Sequence, residues 1–197
     1  MTDTTTTTTT PANRTWEGVE IPVAGTYGFD LSHSRVGFVV RHLMVSKVRG
    51  QFSQFEGTVV IAENPTDSKV EVSIDATSID TRDETRDNHL RSADFFEADS
   101  NPKLTFASTA VRHVKGNDFE VDGDLTIHGT TKPVTLKVEL EGVLTDPWGM
   151  SRAGFSASTE LDREDWGLTY NQALEAGGVV IGKKITIEIE AEVVKQG

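Results

Sequence analysis

With 197 residues, a net charge of −12 and no cysteine, the chain is long enough for one domain with a full core and too short for two of ordinary size. The acidity argues against nucleic acid as a partner, because phosphate groups bind basic surfaces, and it disfavours docking on anionic membranes. The lack of cysteine excludes disulfides, zinc–thiolate sites, iron–sulfur clusters and cysteine nucleophiles.

The chain begins with a low-complexity segment, rich in threonine, that extends to about residue 15. This segment has no basic n-region and no apolar h-region, and no stretch of the chain reaches the roughly 18 apolar residues of a membrane span. We therefore expect a cytoplasmic protein without stable membrane insertion, with a disordered arm over residues 1–15 and one domain over residues 16–197. A chain that begins near Gly25 should keep its melting temperature within a few degrees, because a threonine run buries little apolar area.

From Gly25 onward, apolar and polar residues alternate with a period of two, which is typical of strands buried on one face. No long helical pattern competes with this alternation. An irregularity is predicted near Ser53-Gln54, inside the second stretch. The alternating stretches cover approximately residues 36–42, 48–61, 70–74, 104–108, 119–127, 134–140, 153–161 and 185–193.

This pattern predicts an all-β fold: a closed antiparallel eight-stranded β-barrel with a short helical or loop cap. The sheet has to fold over itself, because no helix is available to cover its apolar face. An eight-stranded barrel is wide enough to hold one small ligand. A two-sheet sandwich with a solid core is the alternative, and periodicity by itself does not distinguish it from a barrel.

The segment from Thr81 to Phe96 separates two groups of strands and is dense in charge. We interpret it as a polar cluster that caps one end of the barrel, with Asp87 pairing with an arginine. Two other interpretations stay open. The cluster contacts the polar head of a ligand, or His89 performs acid–base catalysis with Asp87. The charged residues of the cluster are Arg86, Asp87, His89, Arg91 and Asp94.

The histidines do not show the spacing of a metal site, and we expect neither a metal nor another cofactor. His33 and His128 flank turn signals, which predicts local hydrogen bonds, while His42 shares the apolar face of its strand. The stretch 162–167 is predicted to form a turn or short helix, with Trp166 against a barrel opening. The five histidines are His33, His42, His89, His113 and His128.

Several motifs occur in a fixed order across residues 25–195, and together they resemble the YceI-like family of bacterial proteins. The motifs are Asp30–Phe38, Val40–His42, Val48–Phe52, Thr81 with Arg86–Phe96, Asn101–Phe106, Val121–Val134, and Gly154-Phe155 through Arg163 to Gly167. The resemblance implies an extended lipocalin-like barrel that binds polyisoprenoids or other long amphipathic chains. Many members carry a signal peptide, which this chain does not show. Members often pair as dimers, so the resemblance also allows a homodimer.

From the inward faces and this resemblance, we expect the barrel lumen to bind a long amphipathic lipid without chemistry of its own. The lipid would be an isoprenoid, an isoprenoid quinone or a fatty acid derivative. The candidate ligand-binding residues are Phe38, Val40, His42, Phe52, Phe55, Val72, Ile74, Phe95, Phe106, Leu125, Ile127 and Phe155. Two rival functions remain: an enzyme that modifies such a lipid with His89 and Asp87, and an oligomeric scaffold with a filled barrel.

Overall fold

The computed structural model describes residues 13–173 and 179–197. Short strands form the first half of the domain. They are β1 (Asn13–Trp16), β2 (Val19–Pro22), β3 (Gly25–Phe29), β4 (Arg35–His42), β5 (Ser46–Phe52), β6 (Phe55–Ile61), β7 (Lys69–Asp75) and β8 (Ile79–Asp80). A short helix, α1 (Glu84–Arg91), follows them. Longer strands form the second half: β9 (Lys103–Lys115), β10 (Asp118–Ile127), β11 (Thr130–Thr145), β12 (Ser151–Asp162) and β13 (Ile181–Lys195). Short 3₁₀ turns cover Pro65–Asp67, Ala76–Ser78 and Arg163–Trp166.

Eight antiparallel strands close into a barrel, as the sequence predicted. Their order is β12-β11-β10-β9-β7-β6-β3-β13, and β13 pairs again with β12 to complete the ring. The closed ring rules out the two-sheet sandwich. Closure is favourable because every apolar face then points inward and these eight strands leave no free edge between them.

At two positions of the barrel wall, one strand ends and a second strand continues along the same line. Along β13, Val193 pairs with Phe29 of β3, and Glu190 pairs with Arg35 of β4, so β4 continues the line of β3. The next position is shared by β6 and β5, which are separated at Ser53-Gln54. The irregularity predicted at these two residues is therefore confirmed. The break lets the β4–β5 hairpin extend the wall at one end.

The two ends of the barrel are covered by different elements. At the first, which we call the closed end, the β1–β2 hairpin packs Ile21, which is 2% exposed, among Tyr27, Leu140 and Val193. At the second, the cap end, α1 packs against β8. Across the described ranges, no helix is long and apolar enough to cross a bilayer.

The prediction of a disordered arm over residues 1–15 is wrong for residues 13–15. Residues 1–12 lie outside the described part of the chain, but Asn13 to Thr15 belong to β1. This segment has little apolar area to bury, and hydrogen bonds hold it in place instead. Arg14 donates to the carbonyls of Pro22, Ala62 and Glu63, which attaches β1 to its own hairpin and to the end of β6.

Candidate ligand-binding lumen

The barrel contains two adjoining chambers along its length. The inner chamber, toward the closed end, has a volume of about 250 Å³, and the outer chamber, toward the cap end, has about 360 Å³. Small-molecule sites generally have roughly 300–1,000 Å³, so the two chambers together provide the volume of such a site. The side chains that line both chambers, and so mark their boundary, are Phe38, Phe52, Leu104, Ile127, Leu161 and Ile187.

The inner chamber is almost entirely apolar, because it is lined by the inward residues of the alternating strands. The polar residues among its described lining are Ser68, Lys69, Thr159 and Glu190. Gly123 on β10 makes room for the Phe106 ring: a Cβ atom there would lie 2.4 Å from Cζ of Phe106. This glycine therefore lets an aromatic ring lie against the strand instead of filling the lumen.

The outer chamber combines apolar walls with a polar rim. Val40 and Ile185 belong to its wall, while α1, the β4–β5 hairpin and the turn after β12 supply polar groups. Those polar and charged residues are Arg41, His42, Thr81, Arg86, His89, Arg163, Tyr170 and Gln172. The arrangement can hold an apolar chain whose polar end stays near the cap.

The helix α1 is fixed through the short strand β8. Asp87 is 6% exposed and accepts hydrogen bonds from the Thr81 amide (2.9 Å) and hydroxyl (2.5 Å). Arg86 donates from Nε to Thr81 Oγ1 (2.7 Å) and from Nη2 to the Thr81 carbonyl (2.9 Å). Arg91 donates to the carbonyl of Ile79 (2.8 Å). The cap is thus bonded to the backbone at the end of β8.

The predicted pairing of Asp87 with an arginine is therefore wrong. β8 is only two residues long and, among the described strands, pairs with β5 alone, so its other edge presents backbone groups that need partners near the core. The charged side chains of α1 satisfy these groups instead of one another. In addition, Arg86 and Asp87 are adjacent on the helix and do not face each other.

His89 is paired with a different carboxylate from the one that the catalytic hypothesis required. Its Nε2 lies 2.8 Å from Asp94 Oδ2, and its ring packs edge-on against Phe95 and Tyr170, with centroids 5.1 and 4.9 Å away. Asp87 is two positions before His89 on the helix, and side chains at that spacing point to different sides. The proposed His89–Asp87 pair is therefore wrong.

The turn after β12 carries two buried side chains that complete the cap end. Trp166 donates from Nε1 to the Leu125 carbonyl (3.0 Å), which confirms its predicted place against a barrel opening. Arg163 is 5% exposed, and it donates to the carbonyls of Gly182 (3.1 Å) and Leu168. Its burial lowers the pKa of the guanidinium, opposed by the charges of Glu164 and Asp162.

All the predicted ligand-binding residues line at least one of the chambers, although their contact with a ligand stays a prediction. Those in the inner chamber are Phe38, Phe52, Phe55, Val72, Ile74, Phe106, Leu125, Ile127 and Phe155. Val40, His42 and Phe95 line the outer chamber. Of the predicted polar cluster, Arg86 and His89 line the outer chamber, whereas Asp87, Arg91 and Asp94 lie behind it.

Arg41, Arg163 and Tyr170 also line the outer chamber and were not among the predicted site residues. Arg163 had the clearest signal, because it sits in the predicted turn 162–167 among acidic residues. Nothing local indicated that this arginine would be buried, since burial there depends on how the turn folds against β13.

A group of possible metal ligands lies outside both chambers. Among the described residues, Asp30, His33 and Glu192 have ligand atoms within 4.8 Å of one another. Arg152 Nη1 already lies 2.8 Å from Asp30 Oδ2 and 2.6 Å from Glu192 Oε1. The guanidinium therefore balances the carboxylates without a metal ion. His33 also contacts Asp30 (3.1 Å), in agreement with its predicted local hydrogen bond.

Comparison with known proteins places the chain among bacterial barrels of this kind. The sequence pattern of the YceI-like domain matches residues 27–193. A UPF0312 protein of Staphylococcus epidermidis is 44% identical over 168 residues, which cover 84% of this chain and 95% of that protein.

Solved structures show the same barrel. The YCEI protein of Campylobacter jejuni is 28% identical, with a TM-score of 0.69, over 80% of this chain and 90% of that one. A polyisoprenoid binding domain from Saccharophagus degradans is 15% identical, with a TM-score of 0.66, over 86% of this chain and 98% of that domain. At 15% identity, the similarity to the Saccharophagus degradans domain shows a shared fold and no more.

Proposed function

This chain belongs to the YceI-like domain family, and on that basis we propose that it binds a long-chain amphipathic lipid inside the barrel. The observation that carries the proposal is the apolar lumen formed by two adjoining chambers. Removing an alkyl or isoprenoid chain from water is favourable by about 25 cal/mol per Å² of apolar surface. The Saccharophagus degradans domain, which has the same fold, is described as polyisoprenoid-binding and supports this ligand class.

The length of the lumen favours a chain over a compact molecule. β13 lines the outer chamber at Ile185 and the inner chamber at Val193, eight residues further on in regular register with β12. At about 3.3 Å per residue this distance is about 26 Å along the strand. Barrel strands are tilted by roughly 40°, so this part of the lumen is about 20 Å long. An isoprenoid, an isoprenoid quinone or a fatty acid derivative fits such a space.

The structure of the lumen supports a binding function better than it supports an enzymatic one. The histidine of the enzymatic hypothesis is bonded to Asp94 at the half-exposed rim, not to Asp87. A scaffold with a filled barrel is disfavoured by the volumes of the two chambers. We therefore propose a carrier or binding protein that performs no reaction on its lipid.

Native mass spectrometry of the purified protein, followed by organic extraction, tests the proposal. We expect a bound lipid mass that leaves the protein on extraction. Ala157→Phe, which fills the inner chamber, should reduce lipid occupancy several-fold in a folded protein. Ala110→Phe makes the same change at an exposed site on β9 and should retain the lipid.

Three results would contradict the proposal of a lipid-binding protein that performs no reaction. They are a protein that neither carries nor takes up a long-chain lipid, a folded Ala157→Phe variant with normal occupancy, and chemical conversion of the lipid by the purified protein.

A further inference from the structure

The charged side chains around the outer chamber have one sign. Arg41, Arg86 and Arg163 line it together with His42 and His89. Within residues 13–173 and 179–197, no Asp or Glu lines this chamber, although the whole chain has a net charge of −12. Basic side chains, without an acidic one among the described lining residues, therefore surround the chamber in which the polar end of a chain-like ligand would lie.

Arg163 has hydrogen-bonding capacity that the described protein atoms leave unused. Its Nε and Nη1 donate to the backbone carbonyls of Gly182 and Leu168, but Nη2 is buried and has no hydrogen-bond partner in residues 13–173 and 179–197. A buried guanidinium nitrogen without an acceptor is costly, so such groups generally meet a partner.

The nearest acidic side chains do not provide that partner. Asp162 accepts from the backbone amide of Glu164, and the carboxylate of Glu164 lies 2.7 Å from Lys183 Nζ. Both carboxylates oppose the loss of charge on Arg163, yet neither is within hydrogen-bonding distance of it in the structure. The charges around this arginine therefore allow a ligand in the outer chamber to supply the missing hydrogen-bond acceptor.

The second arginine, Arg86, lies on α1, whereas Arg163 lies in the turn after β12. Arg86 Nε and Nη2 are bonded to Thr81, while Nη1 lies 3.8 Å from Asp83, beyond hydrogen-bonding distance. Its guanidinium is held in place by two bonds and keeps one nitrogen for a further acceptor. Arginine binds carboxylates and phosphates strongly because its planar donors match their oxygens.

We propose that the outer chamber binds the anionic head group, a carboxylate or a phosphate ester, of a single-chain lipid whose tail occupies the inner chamber. Arg163 and Arg86 donate hydrogen bonds to the head group. This inference rests on the proposed lipid-binding function and narrows it to acidic amphiphiles, in preference to neutral alcohols, phenols or quinones.

Matched ligands that share a tail and differ only in the head group test the inference. The delipidated protein is titrated, by calorimetry below the critical micelle concentration, with hexadecanoate and hexadecanol, and then with farnesyl phosphate and farnesol. A charge-assisted hydrogen bond corresponds to a preference of about 10-fold to 100-fold for the acidic member of a pair. The pair that shows this preference distinguishes a carboxylate from a phosphate head.

Two arginine variants locate the preference, and a third is the control. Arg163→Gln and Arg86→Gln should each lower affinity for the acidic ligand about tenfold or more and leave affinity for the alcohol within about twofold. Arg112→Gln, at an exposed site on β9 outside both chambers, should bind like the wild type. Arg86→Gln keeps the test decisive if Arg163→Gln does not fold.

The outcomes separate the two proposals. Equal affinity for acid and alcohol in both pairs would overturn the head-group inference and leave lipid binding intact. A preference for the acid that survives in both Arg163→Gln and Arg86→Gln would also overturn it. If none of the four ligands binds, the proposed lipid-binding function fails, and the head-group inference fails with it.

Discussion

At the scale of single residues, Phe106 is one of the aromatic side chains that line the apolar inner chamber. It is 8% exposed and lies against Gly123 on the neighbouring strand. Phe106→Asp should abolish lipid binding, because it places an unpaired carboxylate among apolar side chains. The measurement is lipid uptake by protein that circular dichroism shows to be folded.

Val114→Asp is the matched control, because Val114 lies on the same strand, β9, and is 54% exposed. This variant should bind lipid like the wild type. A folded Phe106→Asp protein with unchanged lipid uptake would mean that the inner chamber does not hold the ligand.

The buried carboxylate of Asp87 should matter more for stability than the imidazole of His89. Asp87→Ala removes the acceptor for the Thr81 amide and hydroxyl, at a cost of about 1–3 kcal/mol. His89→Ala breaks a half-exposed pair with Asp94 and should cost less than about 1 kcal/mol. Thermal melts of both variants, with lipid release measured in parallel, give the ranking.

Asp87→Asn provides the control for this comparison. Its amide oxygen can still accept the hydrogen bonds from Thr81, but it carries no charge and the bonds are weaker, so this variant should melt between the wild type and Asp87→Ala. An Asp87→Ala protein that melts like the wild type would show that Asp87 does not anchor the cap.

At the scale of elements, Arg152 on β12 joins three parts of the barrel. It contacts Asp146 in the β11–β12 turn (2.7 Å), Asp30 after β3 (2.8 Å) and Glu192 on β13 (2.6 Å). Hydrogen bonds from Ser32, Arg152 and His33 hold the pKa of Asp30 below its usual range, and Arg152 lowers the pKa of Asp146. The linkage of these strands should therefore depend on pH.

The sign of that dependence follows from the lowered pKa values. A carboxylate with a lower pKa in the folded state contributes its full stabilisation above its unfolded pKa, about 3.9 for Asp, and loses it as the pH falls further. The wild type should therefore lose stability below about pH 4. Arg152→Gln should be less stable at neutral pH and less sensitive to acid, as measured by urea unfolding between pH 2 and 7.

Lys103→Gln removes an exposed ion pair with Glu56 (3.3 Å) and is the control, with unfolding expected to follow that of the wild type. Equal acid sensitivity of Arg152→Gln and the wild type would show that these ion pairs do not contribute to the pH dependence.

At the scale of the whole molecule, the β1–β2 hairpin covers the closed end of the barrel. Burial of Val19 and Ile21 contributes about 3–6 kcal/mol as an upper estimate. A chain that begins at Gly25 should thus melt on the order of 10 °C lower. We therefore expect a larger fall in melting temperature than the change of a few degrees that the sequence predicted.

A chain that begins at Asn13 keeps the hairpin and is the control. It should melt within a few degrees of the full-length protein, since the threonine run has little apolar surface to bury. Equal melting temperatures for the chains beginning at Asn13 and Gly25 would show that the hairpin adds no stability.

The sequence alone determined most of the long strands and their inward faces, whereas the choice between a closed barrel and a two-sheet sandwich was decided by the pairing of β12 with β13. Side-chain direction alternates strictly along a strand, so the inward positions of Phe38, Phe52 and Phe106 could be predicted from local spacing. The irregularity at Ser53-Gln54 was also visible, because a break in the period has to appear where the chain leaves a strand. These properties depend on neighbours along the chain.

Only the tertiary structure decided the partners of the polar residues at the cap. Asp87 bonds to Thr81, His89 bonds to Asp94, and Arg163 is buried. Each of these depends on the rotation of α1 or on how the turn after β12 folds against β13. The same holds for β1, whose Arg14 reaches carbonyls about fifty residues away, at Ala62 and Glu63. Local spacing specifies which face a side chain occupies, but a polar group's partner is whichever unsatisfied backbone group or opposite charge the closed barrel brings within reach.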